Sequence, residues 1–318
     1  MCSEESDADA SWCEACGADL DAPPLGPPCV DCGAPEGSIG ADGYCGRCGR
    51  KQPDPRDHFE IDLGWVAAVT SKGMRHHHNE DAVAVAALGD AASGASSVLV
   101  VCDGVGSTVL SEAASQAAAD AALEVLVEAA STNADLAEAM EQACVSAQEA
   151  VLRIPVPEGS VHPPSTTFVA AVTRIDGDTV RSTVAWLGDS RAYWLGADLA
   201  QLSLDDAWGR EQVAAGAMTA EEVAAAPTAN SITRWLGRDA RDVTPTVVHH
   251  ETTAPGRIVL CSDGLWNYAA DPIVLQELVG QLGDGSTVEL AQGLVAFANA
   301  SGGHDNITVA IAACGTKE

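Results

Sequence analysis

Basic residues are scarce in this chain. Its 318 residues include 16 Lys and Arg against 46 Asp and Glu, which gives a formal net charge of −30 at pH 7. A charge of that sign and size repels phosphate backbones and anionic lipid headgroups. We therefore expect neither nucleic acid nor a membrane surface to be a partner of this protein.

Long apolar runs are also missing. No apolar segment approaches the roughly 20 residues that a membrane-spanning helix needs. Residues 1–7 are acidic where a secretory signal would be basic and then apolar. The sequence therefore predicts a cytoplasmic protein. Hydrophobic residues nevertheless make up 47% of the chain, which is enough for a packed core and excludes general disorder.

Cysteine is unusually frequent near the N-terminus. Six of the eleven cysteines form three Cys-x-x-Cys pairs, each followed by glycine, at Cys13/Cys16, Cys29/Cys32 and Cys45/Cys48. A disulfide framework needs an oxidising compartment, which disagrees with the predicted cytoplasmic location. Paired thiolates backed by a turn-forming glycine are typical of zinc knuckles. The alternative interpretation is that these are redox-active or inert thiols.

A closed structural zinc site needs four ligands, so two of the three pairs make one site. We select Cys29, Cys32, Cys45 and Cys48 as the Zn²⁺ ligands, because a glycine-rich turn joins these two pairs. A proline-rich stretch, typical of a stiff spacer, separates them from Cys13 and Cys16. That first pair would then lack a second pair, with only Cys2 upstream.

A change in composition marks a domain boundary. Residues 1–52 are predicted to be a zinc-ribbon-like segment, and residues 53–59, with two prolines among charged residues, are predicted to be a linker. From residue 60 to 318 the pattern is apolar and alternating, and it is interrupted by segments with helical spacing. These predicted helices cover 111–130, 133–152, 221–226 and 287–300. Strands interrupted by paired helices favour a layered α+β domain over a regular βαβ alternation.

Acidic residues lie at the ends of several predicted strands. They are Glu80, Asp81, Asp103, Asp189, Asp263 and Asp305. One Asp-Gly after a strand is an ordinary turn signal, but a repeated pattern suggests carboxylates that converge on hard cations. Oxygen ligands are preferred by Mg²⁺ and Mn²⁺, and two such ions can activate water and stabilise a leaving oxygen in phosphoryl hydrolysis.

Seven short motifs stand in the order typical of one enzyme family. They cover residues 79–81, 101–106, 165–167, 188–191, 232–237, 262–266 and 303–308. Together they resemble the metal-dependent serine/threonine protein phosphatases of the type 2C class. The resemblance implies a four-layer α/β/β/α sandwich with the metal centre at one end. It also implies that a metal-bound water hydrolyses phosphoserine or phosphothreonine on proteins.

The resemblance further implies a role for each acidic residue. Two Mn²⁺ or Mg²⁺ ions would be bridged by Asp103, with help from the Gly104 carbonyl. Asp263 and Asp305 would bind one of the ions, and Glu80 would act on the other through water. Asp81 would orient the waters, and Asp189 would serve a weaker third ion.

The sequence departs from the family at the position that grips phosphate. The family usually has arginine three residues before the Asn of the first motif, and here His76 occupies that position. Arg75 lies one residue earlier and could serve only if the loop shifted. Loss of a guanidinium removes bidentate phosphate binding, so both residues are candidates for this role. Ser165 and Asp206 are two further departures, the second of them in the flap region.

A pseudophosphatase, which would bind phosphoproteins or a kinase without efficient turnover, is the alternative function. His76 favours it, whereas six mutually repelling carboxylates argue against an idle site. The expected partners are phosphorylated proteins, as substrates of an opposing Ser/Thr kinase. The zinc ribbon is expected to contact another protein.

Overall fold

The computed structural model describes residues 28–40, 43–90, 94–106, 108–132, 134–156, 158–283 and 285–315. The Cys13/Cys16 pair and Cys2 lie outside these residues. The chain divides into two compact units, one ending at Asp54 and the other beginning at Pro55. Part of the segment predicted as a linker therefore belongs to the second unit, where Pro55–Asp57 form a 3₁₀ turn.

The second unit contains strands and helices in mixed order. Its strands in the described residues are β1 (His58–Asp62), β2 (Val66–Ser71), β3 (Ala82–Asp90), β4 (Gly94–Cys102), β5 (Ser165–Thr166), β6 (Phe168–Asp176), β7 (Thr179–Leu187), β8 (Arg191–Gly196), β9 (Ala200–Gln201), β10 (Leu236–Gly237), β11 (Thr246–Thr252), β12 (Gly256–Cys261) and β13 (Ile307–Cys314). Its helices there are α1 (Ser111–Thr132), α2 (Leu136–Leu152), α3 (Trp208–Ala214), α4 (Ala220–Ala224), α5 (Asp263–Trp266), α6 (Pro272–Leu282) and α7 (Thr287–Ala300).

Two antiparallel sheets form the centre of this unit. One has six strands in the order β1-β2-β13-β12-β8-β9, and the other has five in the order β11-β7-β6-β4-β3. Helices α1 and α2 pack on the five-stranded sheet, whereas α6 and α7 pack on the six-stranded one. Core side chains fill the space between each sheet and its helices, and a further set of core side chains lies between the two sheets. The predicted four-layer α/β/β/α sandwich is confirmed.

Strand β4 shows how the core directs the chain towards the site. Its side chains alternate: Val98 and Val100 pack against the helices, while Leu99 and Val101 pack against the other sheet. Both faces are buried in the second half of the strand, and residues 98–102 accordingly form a continuous apolar run. The strand ends at Cys102, at one end of the sandwich, and the next residue is Asp103.

Helices α1 and α2 carry their small residues towards this sheet. The buried positions Ala114, Ala118 and Ala122 of α1 recur at helical spacing, which gives one apolar face.

Helix α2 was expected from residue 133, but it begins at Leu136. Asp135 caps it there, because its carboxylate accepts hydrogen bonds from two backbone N–H groups of the first turn. No helix in the described part of the chain has the length and apolarity that crossing a bilayer requires.

Candidate active site

Most of the predicted acidic residues line one cleft at the ends of the strands. Asp103 follows β4, Asp189 follows β7, Asp263 opens α5 directly after β12, and Asp305 precedes β13. The residues that line the cleft are His76, Glu80, Asp103, Gly104, Val105, Gly106, Thr167, Asp189, Ile232, Asp263 and Asp305. Asp81 does not line the cleft. The sandwich thus gathers carboxylates that are up to 225 residues apart in sequence, from Glu80 to Asp305.

Asp81 is buried beneath this cleft, with 1% of its surface exposed. Its Oδ2 accepts hydrogen bonds from the hydroxyls of Ser262 at 2.8 Å and Thr308 at 2.7 Å. Its Oδ1 is buried without a hydrogen-bond partner. Burial, together with the smaller effect of the Asp263 and Asp305 charges, raises the pKa of Asp81 to about 7, although the hydrogen bonds from Thr308 and Ser262 oppose this shift.

The backbone of Asp103 is held in place by hydrogen bonds at the end of β4. Its N–H donates to the Thr167 hydroxyl at 2.9 Å, and its carbonyl accepts from the Thr167 N–H at 2.8 Å and the Thr166 hydroxyl at 2.9 Å. The Thr167 hydroxyl also contacts that of Ser190 at 2.8 Å. Burial raises the pKa of Asp103 well above its usual range, and the charge of Asp81 adds to the shift.

Two further carboxyl groups of the cleft have raised pKa values. Burial, together with the charges of neighbouring carboxylates, raises the pKa of Asp189 to about 7 and that of Asp263 to about 6. The Oδ1 atom of Asp263 is buried and lacks a hydrogen-bond partner. Orphaned carboxylate oxygens that repel one another are the donor set that a hard divalent cation satisfies. The residues present therefore fit Mg²⁺ or Mn²⁺.

Gly104 permits a close approach of three chain segments. Its N–H donates to the Glu80 carbonyl at 3.2 Å. A Cβ at this position would lie 2.6 Å from the Glu80 carbonyl oxygen and 2.9 Å from that of Ser111. The Ser111 hydroxyl in turn donates to the Glu80 carboxylate at 2.7 Å. Glycine after Asp103 is thus required by packing.

The loop that carries the two phosphate-binding candidates is held by Asn306. The side-chain amide of Asn306 donates to the carbonyls of Lys72 at 2.9 Å and His78 at 3.0 Å, and its oxygen accepts the Glu80 N–H at 2.8 Å. In this conformation His76 lines the cleft, and its Nε2 lies 3.2 Å from Asp305 Oδ1. Arg75 is exposed and is not among the lining residues.

Sequence reasoning identified the acidic residues but missed the groups that hold them. Thr166, Thr167, Ser262, Asn306 and Thr308 all lie within the motifs, yet no role was inferred for any of them. The available signal was a hydroxyl or amide side chain next to a motif carboxylate. That signal is weak, because the partner that each group contacts is far away in sequence.

The N-terminal unit brings the four selected cysteines together. The Sγ atoms of Cys29 and Cys48 are 3.7 Å apart, those of Cys32 and Cys45 are 3.8 Å apart, and all four lie within 4.8 Å of one another. Each pair is followed by a glycine with positive φ, 65° at Gly33 and 70° at Gly49. The N–H of each glycine donates to the carbonyl of the first cysteine of its pair, at 2.9 Å and 2.8 Å. The two turns are equivalent, and the cluster could hold a metal ion.

Known proteins resemble most of the chain. Residues 70–276 match the family described as protein phosphatase 2C. The serine/threonine protein phosphatase PstP of Mycobacterium tuberculosis is 31% identical over 247 residues, which cover 77% of this chain and 44% of that protein. The serine/threonine phosphatase Stp of Listeria innocua is 28% identical over 246 residues, which cover 76% of this chain and 92% of that protein. The chain thus spans less than half the length of its mycobacterial relative.

Solved structures agree with this similarity. A crystal structure of Mycobacterium tuberculosis PstP has a TM-score of 0.60 at 27% identity, and the match covers 78% of this chain and 97% of that one. The PstP catalytic domain in complex with two manganese ions has a TM-score of 0.57 at 27% identity, covering 78% and 96%. The motifs, the four-layer sandwich and the carboxylate cleft agree with these matches, and the chain belongs to the protein phosphatase 2C family.

Proposed function

We propose that this protein is a metal-dependent phosphatase that hydrolyses phosphoserine and phosphothreonine on proteins. One observation carries the proposal: Asp81 Oδ1 and Asp263 Oδ1 are buried without a hydrogen-bond donor, among other carboxylates. Such an arrangement is unfavourable unless cations compensate it. The names of the relatives from Mycobacterium and Listeria support the same activity.

The proposed cations are two Mn²⁺ or Mg²⁺ ions, and Mn²⁺ has a precedent in the PstP catalytic domain. Asp103 would bridge them with help from the Gly104 carbonyl, Asp263 and Asp305 would bind one ion, and Glu80 would act on the other. Asp189 would serve a third ion. Bound there, the ions would lower the pKa of water and stabilise charge on phosphoryl oxygens.

The chain's own side chains supply orientation and phosphate binding. We assign Asp81 Oδ1 the task of accepting a hydrogen bond from water, since no protein donor reaches it. His76 is assigned to the substrate phosphate because it lines the cleft, whereas Arg75 is exposed outside it. An imidazole offers a single N–H towards the phosphate, so its grip is weaker than the bidentate grip of a guanidinium.

Asp103→Asn tests the proposed activity. The substitution keeps the side chain's shape but removes charge where two cations meet, and phosphatase activity should fall by at least about two orders of magnitude. The assay is Mn²⁺-dependent release of phosphate from a phosphothreonine peptide and from p-nitrophenyl phosphate. The control is Asp178→Asn, an exposed carboxylate in the turn between β6 and β7. A mutant that remained nearly as active as the wild type would refute the assignment.

The carboxylates of the cleft argue against a pseudophosphatase role, which only His76 favours. An idle site has no reason to retain carboxylates that raise one another's pKa when metal is absent. Turnover in the assay above separates the two functions, since a pseudophosphatase would bind the phosphopeptide without releasing phosphate.

For the N-terminal unit we propose a structural Zn²⁺ held by Cys29, Cys32, Cys45 and Cys48. Cys45→Ser should remove about one zinc ion per chain, on the four-ligand rule, and should disorder residues 29–50, because so small a segment depends on metal binding to fold. Catalysis should survive, because the second unit has its own core. Elemental analysis of Cys45→Ser and Cys13→Ser decides the pairing: equal zinc loss from both would overturn it.

The remaining proposals concern location and partners. The cysteines of the described residues are free thiols, the state that a reducing compartment maintains, and this supports a cytoplasmic location. The substrates would be phosphoproteins made by a Ser/Thr kinase, and the ribbon would contact another protein.

A further inference from the structure

Asp189 lies between two anchoring points that come from one short segment. We call residues 203–207, which precede α3, the clamp segment. The Asp206 N–H donates to the Gly188 carbonyl at 2.9 Å, and the Gly188 N–H donates back to Asp206 Oδ2 at 3.2 Å. These bonds fix the residue before Asp189. They also give a function to Asp206, one of the positions at which the sequence departs from the family pattern.

The second anchoring point follows Asp189. Arg191 Nε donates to Asp205 Oδ1 at 2.8 Å, and one of its terminal nitrogens donates to Asp205 Oδ2 at 2.7 Å. Only 12% of the Arg191 side chain and 17% of the Asp205 side chain are exposed. A bidentate pair of this kind is geometrically specific and is weakly screened when it is buried. The clamp segment therefore holds the chain on both sides of Asp189.

Trp266 completes this arrangement through two contacts. Its indole Nε1 donates to the Asp189 carbonyl at 2.8 Å. The Arg191 guanidinium carbon lies 3.8 Å from the centroid of the Trp266 ring, within the range of a cation–π contact. The ring is 6% exposed, so neither contact has to compete with much water. The Trp266 side chain thus contacts both Asp189 and the guanidinium of Arg191, which Asp205 of the clamp segment holds.

We propose that Trp266 is a positioning residue that holds Asp189 in the cleft. Through its contact with Arg191, which pairs with Asp205, it also couples the clamp segment to the binding of a metal ion at Asp189. This inference rests on the proposed function for the identity of the cation. By linkage, any ligand that moves the clamp segment changes the affinity of the cleft for that cation, and the cation changes the affinity for the ligand by the same factor.

Trp266→Phe isolates the hydrogen bond, because phenylalanine keeps an aromatic ring beside Arg191 but has no N–H. The weakest Mn²⁺ site, measured by calorimetry, should bind about fivefold less tightly, which is the fold-change for one lost hydrogen bond. The tighter sites should be unchanged. In the metal-free protein, the backbone amides of residues 188–191 should exchange hydrogen for deuterium faster. That second readout requires neither metal nor activity.

The matched control is Trp235→Phe, which also removes an indole donor. Trp235 Nε1 donates to Asp239 Oδ1 at 3.0 Å, outside the arrangement described above. We expect no change in Mn²⁺ binding or in exchange at residues 188–191. Asp205→Asn should weaken the same Mn²⁺ site. The double variant with Trp266→Phe should lose less affinity than the sum of the single effects, because the two residues act through one contact chain.

Two results would overturn the inference. Unchanged exchange and an unchanged weakest site in Trp266→Phe would show that the indole does not position Asp189. Equal weakening of all Mn²⁺ sites together with a lower melting temperature of the metal-free protein would show a merely structural role. Failure of the proposed function is distinct: the wild type would then neither bind Mn²⁺ nor release phosphate, while faster exchange in Trp266→Phe would still support the positioning by Trp266.

Discussion

Replacing Asp81 by Asn should stabilise the metal-free protein at neutral and alkaline pH. Burial raises the pKa of Asp81 from its ordinary value of 3.8 to about 7. The folded state therefore binds a proton more tightly than the unfolded state, and this residue's contribution to stability falls as the pH rises from about 4 to 7. Asparagine does not titrate, so the variant escapes this loss.

The magnitude follows from the shift and from the local hydrogen bonds. A rise of the pKa from 3.8 to about 7 corresponds to about 4 kcal/mol of unfolding free energy above pH 7. The amide oxygen of Asn can still accept from the hydroxyls of Ser262 and Thr308. Its NH₂ group would occupy the place of Oδ1, which has no partner, and burying it costs about 1–3 kcal/mol. We expect a net gain of about 1–3 kcal/mol at pH 8, from these two figures.

The assay is urea unfolding followed by tryptophan fluorescence in the presence of a chelator, at pH 4, 6 and 8. Asp178→Asn, at an exposed turn, controls for the change in net charge. The advantage of Asp81→Asn should be absent at pH 4, grow through pH 6 and be complete at pH 8. Saturating Mn²⁺ should remove it, because the cations compensate the carboxylate. A variant that was less stable than the wild type by the same amount at all three pH values would refute the reasoning.

Two other substitutions test separate parts of the cleft. His76→Arg should lower the KM for p-nitrophenyl phosphate, because a guanidinium binds phosphate with two hydrogen bonds, while Arg75→Ala should leave KM unchanged; a sharp rise in KM for Arg75→Ala would show that the loop shifts. Gly264→Ala should cost several kcal/mol, on the order expected for severe overpacking, because its Cβ would lie 1.9 Å from the Asn306 carbonyl oxygen. Gly280→Ala, in α6 with no atom within 4 Å of the added Cβ, should instead stabilise the protein by about 1 kcal/mol in thermal unfolding; equal melting temperatures for the two variants would contradict this packing argument.

The local sequence pattern was sufficient to predict the helices that have strong apolar periodicity. Helix α7 has the predicted bounds, 287–300, since Ser286 and Glu289 form a capping box at its start and a regular apolar face follows. Helix α6 was not predicted, although Asp271 caps it and Pro272 occupies its first turn. Its short length and few buried positions give a weak periodic signal. Its place in the fold depends on packing against the six-stranded sheet.

The sequence by itself determined the family, the layered fold and the acidic residues, because an apolar strand followed by Asp-Gly is a local pattern. Only the tertiary structure decided that His76 rather than Arg75 lines the cleft. Asn306, next to strand β13, holds the two ends of the loop that carries both residues through the carbonyls of Lys72 and His78, 234 and 228 residues away. The link from Trp266 to Asp189 likewise spans 77 residues. Sequence spacing does not encode such contacts, since they form only when the sheets pack and bring separate strand ends to one edge.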